Sequence, residues 1–148
     1  MKKWIKILGI LFVVGVSAAV AGYVFVYNKP HPNYDKLKAD YTIQANTLYN
    51  EFVTDAKTAS AKYNGKMLAI EGILSETEIS DSTSIAYYVL EEGMFGNQGI
   101  RISMMPEYAA GLTKKNKGDQ VIIKGLCAGF NDTDVILEHG SMVNGSEK

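Results

Sequence analysis

Apolar residues follow three different patterns along the chain. The first is an unbroken run. Ile7 to Tyr27 is 21 residues without a charge, and its only polar side-chain groups are Ser17 and the hydroxyls of Tyr23 and Tyr27. At about 1.5 Å rise per residue, a helix of this length spans the ~30 Å hydrocarbon core of a bilayer, and it satisfies its own backbone polar groups there. Trp4 and Tyr27 bracket the run, where amphipathic rings favour a membrane interface. The second pattern has helical spacing. Ala45, Leu48, Tyr49, Phe52 and Ala56, then Ala59 and Tyr63, draw one apolar face along a helix from about Ile43 to Tyr63. Thr42 or Asp40 is its expected N-cap, Val53-Thr54-Asp55 a possible break, and Asn64-Gly65 its stop.

After Gly65 the period becomes two. Met67–Ile79 reads as one long strand, with Leu68, Ile70, Gly72 and Leu74 on one face and a bend at Gly72. Ile85–Leu90 is a second strand, and a turn runs from Glu91-Glu92-Gly93 through Gly96-Asn97. Gly99–Met105 is a third, with Ile100, Ile102 and Met104 inward and Arg101 and Ser103 outward. Pro106 and Glu107 open a short helical connection that ends at Gly118-Asp119. Val121–Phe130 is a fourth strand, with Val121, Ile123, Gly125 and Cys127 on one face. Asp134–Val143 is a fifth, with Val135 and Leu137 inward, and the last five residues are expected to fray.

This order predicts a mainly β domain: a five-stranded OB-fold-like barrel, preceded by a packing helix and an N-terminal transmembrane helix. An unclosed five-stranded sheet is the rival arrangement. The expected organisation is an anchor with a short cytoplasmic end (1–27), a linker with Pro30 and Pro32 (28–40), and an extracytoplasmic domain (41–148). Lys2, Lys3 and Lys6 precede the apolar run, which by the positive-inside rule places the first residues in the cytoplasm and the domain on the periplasmic side of the inner membrane. Ala19-Val20-Ala21 also fits a signal-peptidase site, so cleavage is the alternative to a permanent anchor.

Charge changes the picture once the anchor is set apart. All 16 acidic residues and 12 of the 15 basic ones follow the apolar run, leaving that part of the chain at about −4. Electrostatic attraction dominates general nucleic-acid affinity, so this balance counts against nucleic acid as a partner. The one local basic cluster, Lys114-Lys115-Asn116-Lys117, reads as a solvated turn. Cys127 is the only cysteine and reads as core, so no intrachain disulfide forms. The only histidines are His31 and His139, and no zinc spacing exists.

Several segments resemble one known family. They are Asn28-Lys29-Pro30-His31, Leu48–Phe52 (LYNEF), Ala61–Lys66 running into Ala69–Gly72, Gly118–Phe130 (GDQVIIKGLCAGF) and Asp134–Leu137. In this order they resemble the tRNA_anti-like family of small bacterial envelope proteins. The resemblance implies an OB-like fold of the kind that binds tRNA anticodons, but neither tRNA binding by this chain nor any known activity. It carries no functional residues with it. Members often have further cysteines in the later strands; Ile102 and Gly140 stand where they are expected, which removes any basis for a disulfide or thiol function.

No catalytic constellation is present in the sequence. Ser82, Ser84, Asp81 and Glu78 crowd one loop without a histidine nearby in sequence, and Glu91-Glu92 match no calcium loop. No cofactor is expected. The reading is a non-catalytic binding or assembly module of the cell envelope whose partner is an envelope protein, peptide or glycan, with residues 7–27 in the membrane. OB-type nucleic-acid binding is the alternative. Its candidate contacts are the rings of Tyr87, Tyr88 and Phe130, with Phe95 as a further ring, and the charges of Arg101 and Lys124.

Overall fold

A computed structural model describes residues 2–27, 33–94 and 96–143, and the chain divides into two units, Met1–Asn33 and Tyr34–Lys148. The expectations placed on Pro30, His31, Pro32, Phe95 and the last five residues lie outside the described residues.

In the first unit, helix α1 is Lys2–Tyr27. Its apolar span, Lys3–Phe25, is 23 residues long, and none of it is buried inside the protein. That span reaches about 35 Å, enough to cross a bilayer. The Ser17 hydroxyl donates to the Val13 carbonyl one turn earlier (2.8 Å), so it needs no partner from lipid.

The second unit contains strands β1 (Tyr41–Gln44), β2 (Met67–Ile73), β3 (Glu76–Ile79), β4 (Ser84–Gly93), β5 (Gly96–Met104), β6 (Gln120–Phe130) and β7 (Asp134–Met142). Its helices are α2 (Ala45–Thr54), α3 (Ala56–Tyr63) and α4 (Pro106–Leu112). It is a mainly β, OB-fold-like domain, but the five-stranded barrel is corrected. The sheet has seven strands in the order β1-β2-β6-β7-β5-β4-β3, and no ladder joins its ends into a closed barrel.

Two local events add the strands. The long first strand expected over 67–79 is interrupted at Leu74-Ser75, where the chain changes partners. Leu74 N–H donates to Asp119 O beside β6, while Ser75 N–H donates to Tyr87 O of β4, both at 2.9 Å. β2 thus pairs with β6 and β3 with β4, both antiparallel. The break falls two residues beyond Gly72, whose role is close packing: a Cβ there would sit 2.9 Å from Ala45 Cβ and 3.2 Å from Tyr88 Cδ1.

The other addition is β1, expected as the helix start. It pairs parallel with β2, and Gln44 takes the N-cap position of α2 without a side-chain cap bond. Glu71 of β2 holds it, accepting from Gln44 Nε2 and from Gln120 Nε2 of β6, each at 2.7 Å. At the other end, Asp40 N–H donates to Met67 O (2.7 Å) and Met67 N–H to the Asp40 carboxylate (2.8 Å). Asp40 therefore serves a strand rather than a helix N-terminus.

The helical face packs as its spacing predicts. Ala45, Leu48, Tyr49 and Phe52 of α2 and Ala59 and Tyr63 of α3 are buried, whereas Ala56 is exposed. The helices part at Asp55, which caps α3 by accepting from Thr58 N–H (3.0 Å). Gly65, at φ +73°, makes the stop that a side chain would resist. Beneath the helices lie the inward residues of the sheet, including Leu68, Ile70, Ile100, Ile102, Ile123, Val135 and Leu137, all with no exposed surface. Each such side chain contributes about 1.5–3 kcal/mol by leaving water. The turn expected between the second and third strands is shorter than its sequence suggests, because Glu91, Glu92 and Asn97 remain in the β4–β5 ladder.

Candidate functional site

The hairpin β4–β5 and its neighbour β7 set the register of the outward face. Tyr87 pairs with Arg101, Arg101 with Ile136, and Glu76 of β3 with Tyr87 on the other side. Arg101 is exposed and Tyr87 half-buried. Side chains directly opposite in a ladder lie about 4.5–5.5 Å apart at Cβ, so a ring and a guanidinium share one patch at the centre of the hairpin.

Tyr87 is held there by Asp134. Its hydroxyl donates to Asp134 Oδ2 (2.8 Å), and Gly99 N–H donates to Asp134 Oδ1 (3.1 Å). The Asn131 side chain accepts from Asp134 N–H (2.7 Å) and from Thr133 N–H (3.1 Å), so the β6–β7 turn fixes where that carboxylate points. Burial, and then the neighbouring Asp134 carboxylate, push the Tyr87 hydroxyl up to about 12, with Arg101 opposing. Alongside, Tyr49 of α2 donates to Gln98 Oε1 (3.0 Å), and burial followed by the charges of Glu91 and Asp134 raises its pKa. Asp134, Tyr49 and Gln98 were not among the sequence candidates. The one signal for Asp134 was its place after the Asn131-Asp132 turn.

The other candidates do not join this patch. Tyr88 points into the core with no exposed surface, and its hydroxyl donates to Val121 O (3.3 Å). Phe130 is half-buried against Phe52, with ring centroids 5.5 Å apart. Lys124 lies on β6 opposite Ser141 of β7, five residues along β7 from the Ile136 that pairs with Arg101. Its ammonium donates to Asp35 O (2.7 Å), in the segment before β1. His139 is half-buried and stacks on Tyr34. Among the described residues no group of three or more His, Cys, Asp or Glu could hold a metal.

The tRNA_anti-like family model matches residues 1–141. The chain belongs to the tRNA_anti-like family. The fold of this tRNA_anti-like protein is mainly β and OB-fold-like. No curated protein matches its sequence. Among solved structures it is similar to a lipoprotein from Klebsiella pneumoniae, presented as a candidate nucleic acid-binding protein. The identity is 15%, the TM-score 0.56, and the match covers 78% of this chain and all of that one. At that identity the likeness establishes a shared fold. Fainter likenesses, on which nothing rests, are to the fission-yeast Stn1–Ten1 complex (11% identity, TM-score 0.36, covering 53% of this chain and 58% of that one) and to yeast Stn1 and Ten1 (12%, 0.37, 74% and 65%). The apolar helix is long and apolar enough to cross a membrane.

These findings correct the expectation that nucleic acid is a disfavoured partner. A matching structure of the same fold is presented as a candidate nucleic acid-binding protein, so the fold does not disfavour such a ligand. The physical reason is that net charge is a sum over the chain. It hides local patches, and Arg101 beside Tyr87 is one.

Proposed function

We propose that this tRNA_anti-like protein is a membrane-tethered, non-catalytic binding module that takes a single-stranded oligonucleotide across Tyr87 and Arg101. The observation that carries the reading is their direct cross-strand pairing on the outward face of β4 and β5. A ring offers a stacking surface to any base, and a guanidinium beside it offers charge to the backbone and a cation to the stack. OB-type domains use such a face and its loops for oligonucleotides, and the description of the Klebsiella lipoprotein agrees with that use. In this reading residues 1–27 anchor the protein in the inner membrane, 28–40 link, and 41–148 bind on the periplasmic side.

Glu76 and Glu78 of β3 favour a second reading. Glu76 pairs with Tyr87 and Glu78 with Ile85, placing carboxylates beside the same patch. Such an edge suits a basic peptide of an envelope protein.

The test is titration of a labelled single strand with the full-length protein in neutral lipid discs at ~0.15 M salt. Stacking is worth ~1–3 kcal/mol per base, so Tyr87→Ala should weaken saturable binding by roughly five- to a hundredfold, and Arg101→Ala should lower its salt dependence. Absence of saturable binding, or binding indifferent to both substitutions, overturns the oligonucleotide reading.

A further inference from the structure

Residues 34–40 lie across the sheet as a strap. Tyr34 stacks on His139 of β7 at a centroid distance of 3.9 Å. The Lys124 ammonium binds the Asp35 carbonyl (2.7 Å), and the Tyr108 hydroxyl of α4 donates to the Asp35 carboxylate. Asp40 closes the far end through its two bonds with Met67. Between these moorings the strap leaves a cleft of about 840 Å³. Its lining includes apolar Ala69, Ile122 and Val143 and the basic Lys36, Lys38 and Lys124.

The charge in this cleft runs opposite to that of the chain. Among the described residues its one acidic lining residue is Asp35, whose carboxylate is engaged by Tyr108. Among the described residues Lys36 and Lys38 form no ion pair, and Lys124 meets a neutral carbonyl. Three lysines therefore line one cleft, and among the described residues no carboxylate is bonded to any of them. Lys36 and Lys38 also follow Tyr27, the last residue of α1, by only nine and eleven positions. Basic residues next to a membrane span are drawn to anionic lipid, and here the fold adds a third from β6.

We propose that the cleft beneath the strap binds the phosphate headgroup of an anionic membrane lipid. Lys36, Lys38 and Lys124 hold the phosphate, and Ala69, Ile122 and Val143 take the carbon of the glycerol backbone. This assignment rests on the membrane tether and is independent of the ligand at Tyr87 and Arg101.

The test uses the full-length protein in phosphatidylcholine discs, with and without phosphatidylglycerol. Lysines are modified by an uncharged amine-reactive reagent and mapped by mass spectrometry. A basic residue near an anionic surface gains roughly fivefold in affinity. Lys36, Lys38 and Lys124 should therefore be modified about fivefold or more slowly with phosphatidylglycerol, with Lys57 and Lys114 unchanged. K36Q/K38Q, at two exposed strap positions, should abolish the protection of Lys124 while leaving the unfolding transition in place. Equal modification in both lipids overturns the proposal. So does protection by inorganic phosphate alone in phosphatidylcholine discs, which would make the ligand a soluble anion. Protection by an oligonucleotide but not by phosphatidylglycerol would assign the cleft to nucleic acid and overturn it as well.

Discussion

Tyr34 and His139 lie face to face, with ring centroids 3.9 Å apart and planes within 3° of parallel. The imidazole reaches this position because His139 takes a positive φ of 54° where β7 departs from regular pairing with its neighbours. A chain irregularity in the last strand thus supplies the seat for a residue more than a hundred positions earlier. Aromatic pairs of this kind are worth about 0.5–1.5 kcal/mol beyond their buried area. Tyr34→Ala should therefore loosen the strap while leaving the sheet intact. Amide hydrogen exchange is the measurement: residues 34–38 should exchange about tenfold faster, and Ile100, Ile102 and Ile123 at the global rate. Unchanged exchange in the strap would show that the Asp35 and Asp40 bonds hold it alone.

Cys127 has 1% of its surface exposed, and burial pushes its thiol up to about 11 from an ordinary value near 9. The folded protein therefore holds this proton more tightly than the unfolded chain does. The resulting stability is complete below pH 9 and is lost as pH rises towards about 11. Unfolding midpoints in denaturant across that range should fall for the native chain and fall less for Cys127→Ala, which starts from lower stability because of its cavity. A thiol reagent at neutral pH should react only on unfolding. Rapid reaction of the folded protein would place the sulfur at the surface.

Gly72 is set by contact rather than by turn geometry. A methyl added there would meet Ala45 Cβ at 2.9 Å and the Tyr88 ring at 3.2 Å. Gly72→Ala should cost about 1–3 kcal/mol by overpacking. Ala45→Gly removes one of the two obstructions, so the double variant should be more stable than the sum of the single losses predicts. Thermal melts of the four proteins give this coupling, and strict additivity would show that α2 moves aside freely.

What the sequence made legible was what each segment does for itself. Alternation placed Ile100, Ile102 and Met104 inward and Arg101 outward, and the stripe from Ala45 to Tyr63 located the helical face with its break at Asp55. What stayed hidden depended on distant partners. Tyr41–Gln44 become a strand through parallel pairing with Leu68–Glu71, contacts 27 residues away in sequence, which outweigh the capping character of Asp40 and Thr42. The long first strand divides because Leu74 bonds beside β6 and Ser75 bonds to β4, strands that are not neighbours in the sheet, and no local pattern marks that exchange. The site behaves in the same way. Tyr87 and Arg101 meet through the register of one hairpin, and Lys124 is committed to the strap; Tyr88 differs, because strand alternation alone turns it to the face opposite Tyr87.

The hold of Asp134 on Tyr87 leads to the sharpest test of the binding face. Asp134 is 8% exposed and uses one oxygen for the Tyr87 hydroxyl and the other for Gly99 N–H. In Asp134→Asn only one oxygen remains. The Gly99 N–H cannot reverse its role, so the amide oxygen stays with it and the amide NH₂ turns to Tyr87. The tyrosine hydroxyl must then accept instead of donate. Exchanging a charged partner for a neutral one costs about 1–3 kcal/mol of stability, and Asp134→Ala, which leaves the Gly99 amide buried without an acceptor, should cost more. The titration gives an independent readout. Tyr87 is raised first by burial and then by Asp134, from an ordinary 10.0 to about 12. Its folded-state proton therefore contributes stability that is present below pH 10 and disappears as pH rises towards 12. Asp134→Asn should bring the value part of the way down, because burial remains, and Tyr87→Phe should remove the step from the tyrosinate absorbance. If the step is the same with Asp134→Asn, the carboxylate does not set the tyrosine. If stability falls and the step shifts but oligonucleotide affinity is unchanged, Tyr87 is fixed by Asp134 for the sake of the fold, and the ligand lies elsewhere.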